Sequence, residues 1–254
     1  MTMIRLGLLG TGNSGQVPVY NCGCAACERA RLQPQFRRGP TCAVVECDGQ
    51  RWLIDAGLMD LADRFEPGSI QGILQTHYHA DHAQGLLHWR WGRGMRMPVL
   101  GPPDKEGFAD LFKHSGMLDF SRALAAFDSF DLGAMRVTPV PLTHSKPTFG
   151  YIFTPIGGGQ CIAYLTDTVG FPDATRRFLE RLDIQTLVLD CSFPPSAETP
   201  RNHNDLNSAL ASVDGLAVDR LVLTHVGHEL DCWLMQYGDA LPFHAVIGRD
   251  GAWF

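Results

Sequence analysis

His77-Tyr78-His79-Ala80-Asp81-His82 gathers three imidazoles and a carboxylate within six residues. Neutral imidazoles are good donors to divalent zinc, manganese or iron at pH 7, and a carboxylate adds a hard oxygen. In an H-x-H-x-D-H run, alternate residues project to one side while the closing Asp-His pair turns to the other. That arrangement suits two adjacent metal ions better than one. The segment follows the apolar run Ile70 to Thr76, so it stands at the end of a strand.

Counting donors along the rest of the chain extends the reading. His77, His79 and His144 can hold one ion, and Asp81, His82 and His225 the second. Asp167 can bridge both through its two carboxylate oxygens. A water or hydroxide between the ions would complete each shell and keep the exchangeable position that a catalytic site needs. Coordination lowers the pKa of such a water from ~16 to ~7, which gives a nucleophile at neutral pH. Taken alone, Asp167 reads equally as a turn or cap residue; its place between His144 and His225 favours a ligand role.

A second cluster, Cys22-Gly23-Cys24-Ala25-Ala26-Cys27, lies in a Gly/Pro-rich loop before the helical-looking Glu28 to Leu32. C-x-C strains a disulfide but suits a loop presenting thiolates to one tetrahedral ion. Three thiolates need a fourth ligand, and His228, three residues beyond His225, is the candidate. A closed structural zinc site is expected. Cys42, Cys47, Cys161, Cys191 and Cys232 read as small buried hydrophobes near strands, without function.

Rigid elements must bring these groups together. Strands are expected at Met3–Leu9, Cys42–Cys47, Trp52–Ile54, Ile70–Gln75, Met135–Pro141, Phe149–Phe153, Cys161–Leu165, Thr186–Leu189 and Arg220–Leu223. A hairpin is expected at Asp48-Gly49, and another at Asp250-Gly251 between Ala245–Ile247 and Ala252–Phe254. Helical periodicity marks Leu58–Phe65, Ala83–Trp89, Pro172–Leu182 and Asp205–Val213. Gly92 to Ser121 mixes Gly, Pro and charge and reads as long loops around the site. Asp55, His77, His144, Asp167, Asp190 and His225 all fall at or just after strand ends, the placement expected of a site built on one edge of a layered sheet.

The 254 residues carry 45% apolar and 19% charged side chains, as an ordinary globular protein does. One domain is expected over 1–254, with the Cys-rich zinc-binding insertion near 16–40. A formal charge of −6 disfavours a broad nucleic-acid footprint. No apolar run approaches the ~20 residues of a membrane span. The run in Met1–Gly10 breaks at Gly10-Thr11-Gly12, so no secretory signal is expected. Cytoplasm is the expected location, with the eight cysteines reduced or metal-bound.

The H-x-H-x-D-H turn with later His, Asp and His at strand ends resembles the metallo-β-lactamase superfamily. That resemblance implies an α+β fold, an αββα sandwich of two mixed sheets, and places Asp55 as a buried acid orienting a ligand imidazole. Gly10 to Gly15, the Cys cluster, Phe112-Lys113-His114, His144-Ser145-Lys146, Thr166-Asp167-Thr168, Asp190-Cys191-Ser192, Arg201 to Asn207 and Leu223 to His228 narrow it. Together they resemble the PhnP family of phosphodiesterases from the carbon–phosphorus lyase pathway of phosphonate catabolism. The resemblance implies hydrolysis of 5-phosphoribosyl 1,2-cyclic phosphate to ribose 1,5-bisphosphate by a metal-bridging hydroxide. It implies two manganese or zinc ions in the catalytic site, one structural zinc, and a homodimer.

Opening such a ring also needs an acid outside the metal shell for the alkoxide leaving group. His203 suits this role: it lies in a polar loop before a helix and is not needed as a ligand. Asp190 either orients His203 or packs at its strand end; with Asp81 and His203 it completes the expected catalytic set. Lys146 and Arg201 are the nearest cations in sequence for a 5-phosphate. Three rivals stand beside this reading: a tRNA 3′-end endonuclease of the superfamily, an oxygen-using enzyme resembling the pyrroloquinoline quinone biosynthesis protein, and a non-enzymatic metal protein.

Overall fold

The computed structural model describes residues 3–198, 200–238, 241–242 and 244–254. Runs of β-branched and aliphatic residues, each closed by Gly, Asp or Pro, form two mixed sheets. The first takes its strands in chain order: β1 (Ile4–Gly10), β2 (Cys42–Cys47), β3 (Gln50–Ile54), β4 (Gly72–Leu74), β5 (Met97–Leu100) and β6 (Leu118–Asp119). The second does the same with β7 (Phe130–Leu132), β8 (Met135–Pro141), β9 (Phe149–Pro155), β10 (Cys161–Leu165), β11 (Asp183–Asp190), β12 (Ala217–Thr224) and β13 (Ala245–Ile247). In both sheets the early strands pair antiparallel and the later ones parallel.

The parallel strands carry near-continuous apolar runs because both faces are covered. Val188 and Val222 point into the layer between the sheets, with Leu6, Leu8, Val45, Ile54, Tyr151 and Phe153. Their neighbours Leu187, Leu189, Leu221 and Leu223 point the other way, onto helices α6 (Asp173–Leu179), α7 (Leu206–Val213) and α8 (His228–Tyr237). The first sheet is covered by α2 (Leu61–Arg64), α3 (Ala80–Ala83), α4 (Leu86–Trp89) and α5 (Ala109–Lys113) through Leu61, Ala83, Leu86, Trp89 and Leu111. Each fully buried Leu contributes roughly 1.5–3 kcal/mol, so three apolar layers hold the sandwich. Helix α1 (Ala25–Leu32) packs on α8 at one end. This is the expected α+β, αββα architecture. No described helix is long and apolar enough to cross a membrane.

Four expectations change. Gly92 to Ser121 forms β5, α5 and β6 of the first sheet rather than loops alone. The Ala83–Trp89 helix is broken into α3 and α4 at Gly85, where a Cβ would stand 2.2 Å from the Leu58 carbonyl oxygen. α8, where no helix is expected, begins directly at His228. Asp250-Gly251 does not close a hairpin. Ala245–Ile247 pairs parallel to β12, whereas Leu6 exchanges backbone hydrogen bonds with Phe254, and Leu8 donates to the Ala252 carbonyl and accepts from Gly251 N–H. The C-terminal segment therefore crosses from the second sheet to cover β1 of the first.

Parallel strands share one direction, so their C-terminal ends form a common edge, where such sheets build sites. β3 delivers Asp55 there, β4 the H-x-H-x-D-H segment, β10 Asp167, β11 Asp190 and β12 His225. β8 runs antiparallel to β9, and β9 antiparallel to β10, so β8 delivers His144 to the same edge.

Candidate metal centre

Five of the expected imidazoles converge. His77 Nε2 and His144 Nε2 lie 2.9 and 3.1 Å from His79 Nδ1. Asp81, His82 and His225 form a second group adjoining it. One oxygen, Asp167 Oδ2, faces both: it is 3.2 and 3.3 Å from His82 Nε2 and His225 Nε2, and 3.7 and 3.8 Å from His77 Nε2 and His144 Nε2. The two-oxygen bridge expected for Asp167 is not what the geometry offers. Oδ1 accepts a hydrogen bond from Thr166 Oγ1 at 2.7 Å and is turned away.

The far nitrogen of four rings is occupied. His82 Nδ1–H donates to Asp55 Oδ2 at 2.6 Å. Thr76 Oγ1 donates its one proton to Asp55 Oδ2 at 2.7 Å, so it can only accept from His77 Nδ1–H at 3.0 Å. Ser192 Oγ sits 2.8 Å from His225 Nδ1, and the Asn202 carbonyl 3.1 Å from His144 Nδ1. Each of these bonds sets the tautomer that leaves the inward Nε2 lone pair free to bind. Burial holds His77 well below the usual imidazole range and also lowers His79 and His144, so these rings are neutral donors. Burial opposes the charge on Asp167, but His225 and His82 outweigh it and hold its carboxyl well below the usual range; the Asp167 and Asp55 carboxylates in turn hold His82 well above its usual range against burial, a proton that a bound cation would displace.

These donors fit a pair of divalent ions. Ligand atoms at 2.0–2.1 Å from one ion stand about 2.9 Å apart at a right angle and about 3.3 Å apart at the tetrahedral angle. The His77–His79, His79–His144, His82–Asp167 and His225–Asp167 separations of 2.9 to 3.3 Å lie in that interval. His82 Nε2 and His225 Nε2 are buried with no hydrogen-bond partner among the described residues, a costly state for imidazole unless a cation takes the lone pair. Asp55 and His225 hold positive φ of 61° and 60°, backbone strain of the sort that gathers at functional sites.

His203 stands beside these two groups, with a ring nitrogen within 4.8 Å of donor atoms of Asp167, Asp190 and His225. Its ring stacks on His225, with centroids 4.6 Å apart and planes at 19°, and lies 5.1 Å from the His144 ring. Nδ1–H donates to Asp190 Oδ2 at 2.8 Å. Asp190 is fully buried and also accepts from the Thr168 N–H at 2.9 Å, so it orients His203 as well as closing β11. Burial works against the imidazolium, but the Asp190 carboxylate outweighs it and pushes His203 up to about 9.

The cysteine loop closes on α8. Cys22 Sγ and Cys24 Sγ lie 3.5 and 3.4 Å from His228 Nδ1, and Cys27 completes a four-donor group. Zn–S near 2.3 Å and Zn–N near 2.05 Å at the tetrahedral angle would separate S and N by about 3.6 Å, close to both distances. Glu229 accepts from His228 Nε2 at 2.8 Å and leaves Nδ1 facing the sulfurs. Burial raises the Cys24 thiol, but hydrogen bonds from His228 and the Cys27 backbone outweigh it and bring it down to about 6.

The beta-lactamase superfamily domain matches residues 20–226. The chain belongs to that superfamily. Among solved structures, a diphosphatase of the PhnP family superposes with a TM-score of 0.80 at 28% identity, covering 100% of this chain and 98% of that one. Zinc-bound PqqB from Methylobacterium extorquens superposes at 0.80 with 18% identity, over 98% and 99% of the two chains. In sequence, Coenzyme PQQ synthesis protein B of Rhodopseudomonas palustris is 30% identical over 103 residues, 35% of this chain. The chain's match spans about a third of the length of that curated relative.

Within this metallo-β-lactamase frame, several expectations need restating. Lys146 is not a free cation: it pairs with Asp104 at 3.0 Å, with Glu106 at 3.8 Å. Arg201 is exposed. Cys42, Cys47, Cys161 and Cys191 are buried as expected, but Cys232 is part-exposed and lies on α8, not near a strand. Thr76, Ser192 and Asn204 received no role from the sequence. Asn204 donates to the Asp190 carbonyl at 3.1 Å and accepts from Gly170 N–H at 2.9 Å, which pins the loop behind His203. Adjacency to His77, Asp190 and His203 was the one signal that could have drawn attention to them.

Proposed function

We propose that this chain is a dinuclear-metal phosphodiesterase that opens the cyclic phosphate of a phosphorylated sugar, with 5-phosphoribosyl 1,2-cyclic phosphate as the substrate. The observation that carries the reading is the Asp190–His203 dyad stacked against His225, an oriented acid just outside a cluster of metal donors. The full-length likeness to a PhnP-family diphosphatase supports phosphorus chemistry. His77, His79 and His144 would hold one ion, Asp81, His82 and His225 the other, with Asp167 Oδ2 between them. When bound, manganese or zinc supplies Lewis acidity toward phosphoryl oxygens and acidifies a bound water. His203, protonated at neutral pH, gives its proton to the O2 alkoxide as the P–O2 bond breaks, leaving ribose 1,5-bisphosphate. Asp190 keeps the ring aimed and stabilises its charge. Arg201 and Lys146, the latter drawn from Asp104, would receive the 5-phosphate. Cys22, Cys24, Cys27 and His228 hold a structural zinc, and the working form is a cytoplasmic homodimer.

The test couples elemental analysis to product identification. Purified protein is expected to carry two ions beyond the structural zinc and to convert the cyclic sugar phosphate to the 1,5-bisphosphate, followed by phosphorus NMR. A diphosphate-linked nucleotide and a precursor tRNA run in parallel. Cleavage of either of these with the cyclic sugar phosphate untouched would overturn the substrate assignment.

A further inference from the structure

Gln75 follows β4 directly, two residues before His77, and is fully buried. No step of the proposed reaction uses it. Its amide is engaged at one end only. Nε2 donates among three acceptors: the His77 carbonyl at 2.7 Å, the His82 carbonyl at 2.9 Å and Asp55 Oδ1 at 3.0 Å. Those acceptors fix which end of the amide is nitrogen, because an oxygen in its place would face three oxygens. Oε1, in contrast, is buried with no hydrogen-bond partner among the described residues. A buried unpaired acceptor is a cost that an apolar side chain would not carry. What Nε2 holds therefore accounts for a glutamine at this position.

The three acceptors depend on it unequally. Asp55 Oδ1 also receives Thr76 N–H at 2.7 Å, and the His82 carbonyl also receives Ala56 N–H at 2.8 Å. For the His77 carbonyl, Gln75 is the one donor among the described residues. His77 opens the H-x-H-x-D-H turn and His82 closes it, so one amide ties both ends to a single point. The two ends serve different ions: His77 belongs with His79 and His144, and His82 with Asp81 and His225. The third acceptor, Asp55, is the carboxylate that holds His82 Nδ1.

We propose that Gln75 is a positioning residue that fixes the spacing of the two metal positions by joining the His77 end of the ligand turn to the His82 end. It touches neither ion and acts through the backbone of their ligands. This inference rests on the dinuclear reading of the site.

Manganese binding followed by electron paramagnetic resonance tests it. A close pair of manganese ions gives a spin-coupled spectrum, whereas separated ions give the isolated six-line signal. Gln75→Met keeps length and bulk but donates no hydrogen bond. At two equivalents of manganese this variant is expected to gain isolated signal at the expense of the coupled one. Its affinity for the second ion should fall ~10–100-fold, the range for loss of an outer partner. Gln75→Asn keeps an amide one methylene too short to reach both carbonyls; it should change the spectrum the same way, and it decides the matter if Gln75→Met folds poorly. A lower unfolding midpoint of the metal-free protein with wild-type spin coupling and affinity would make Gln75 merely structural and overturn the proposal. So would variants indistinguishable from wild type in both measurements. A wild-type protein that shows no coupled pair would instead bring down the dinuclear reading, and this inference with it.

Discussion

Six imidazoles crowd one edge of the sandwich, and their hydrogen-bond partners divide them by role. Five turn a lone pair inward, while His203 is held by Asp190 in a form that carries a proton. Replacing His203 by Ala is expected to lower kcat by ~10²–10⁴-fold, the range for general acid catalysis, with metal content unchanged by elemental analysis. Loss of metal together with activity would place His203 among the ligands instead. Asp190→Asn tests the electrostatics. The carboxylate raises the His203 pKa to about 9, so the acid form is present below that pH and lost above it. Without that negative charge the imidazolium is less favoured, and the alkaline limb of the pH–rate profile should move to lower pH.

At the scale of elements, strand direction and helix caps do the positioning. α7 begins with a reciprocal cap: Asp205 Oδ1 accepts from Ser208 N–H at 2.8 Å, and Asp205 N–H donates to Ser208 Oγ at 3.0 Å. Asp205 Oδ2 also accepts from Ser196 N–H at 2.8 Å, tying down the far side of the loop that presents His203. Asp205→Ala should therefore cost ~1–2 kcal/mol, read as a lower unfolding midpoint, with faster proteolysis of that loop. Much of this level was legible. Asp205 announced a helix start, and strands such as Cys42–Cys47 and Met135–Pro141 have the bounds that β-branched patterning indicates. The misses share a cause. α8 begins with His, Glu and Asp around scattered apolar residues, so its periodicity is weak until α1 covers one face. α3 and α4 read as one helix because the need for a bare Gly85 backbone lies in the Leu58 carbonyl, a contact across the fold.

The whole molecule depends on closing the site between parts of the chain far apart in sequence, from Asp55 to His225. Chelation is expected to abolish turnover and to lower the thermal midpoint, since ions bound only by the folded state stabilise it by mass action. Restoring manganese or zinc should raise both, and a midpoint indifferent to chelator would argue against a metal-linked site. The sequence by itself determined which residue types can bind metal and move protons, that they fall at strand ends, and where most strands run. These are local matters of donor chemistry, side-chain period and turn residues. Only the tertiary structure decided that a single Asp167 oxygen faces both groups, that Lys146 is already paired, and that the C-terminal segment covers β1. Each of those depends on distances between distant segments, which a one-dimensional pattern does not contain and which packing of the two sheets sets.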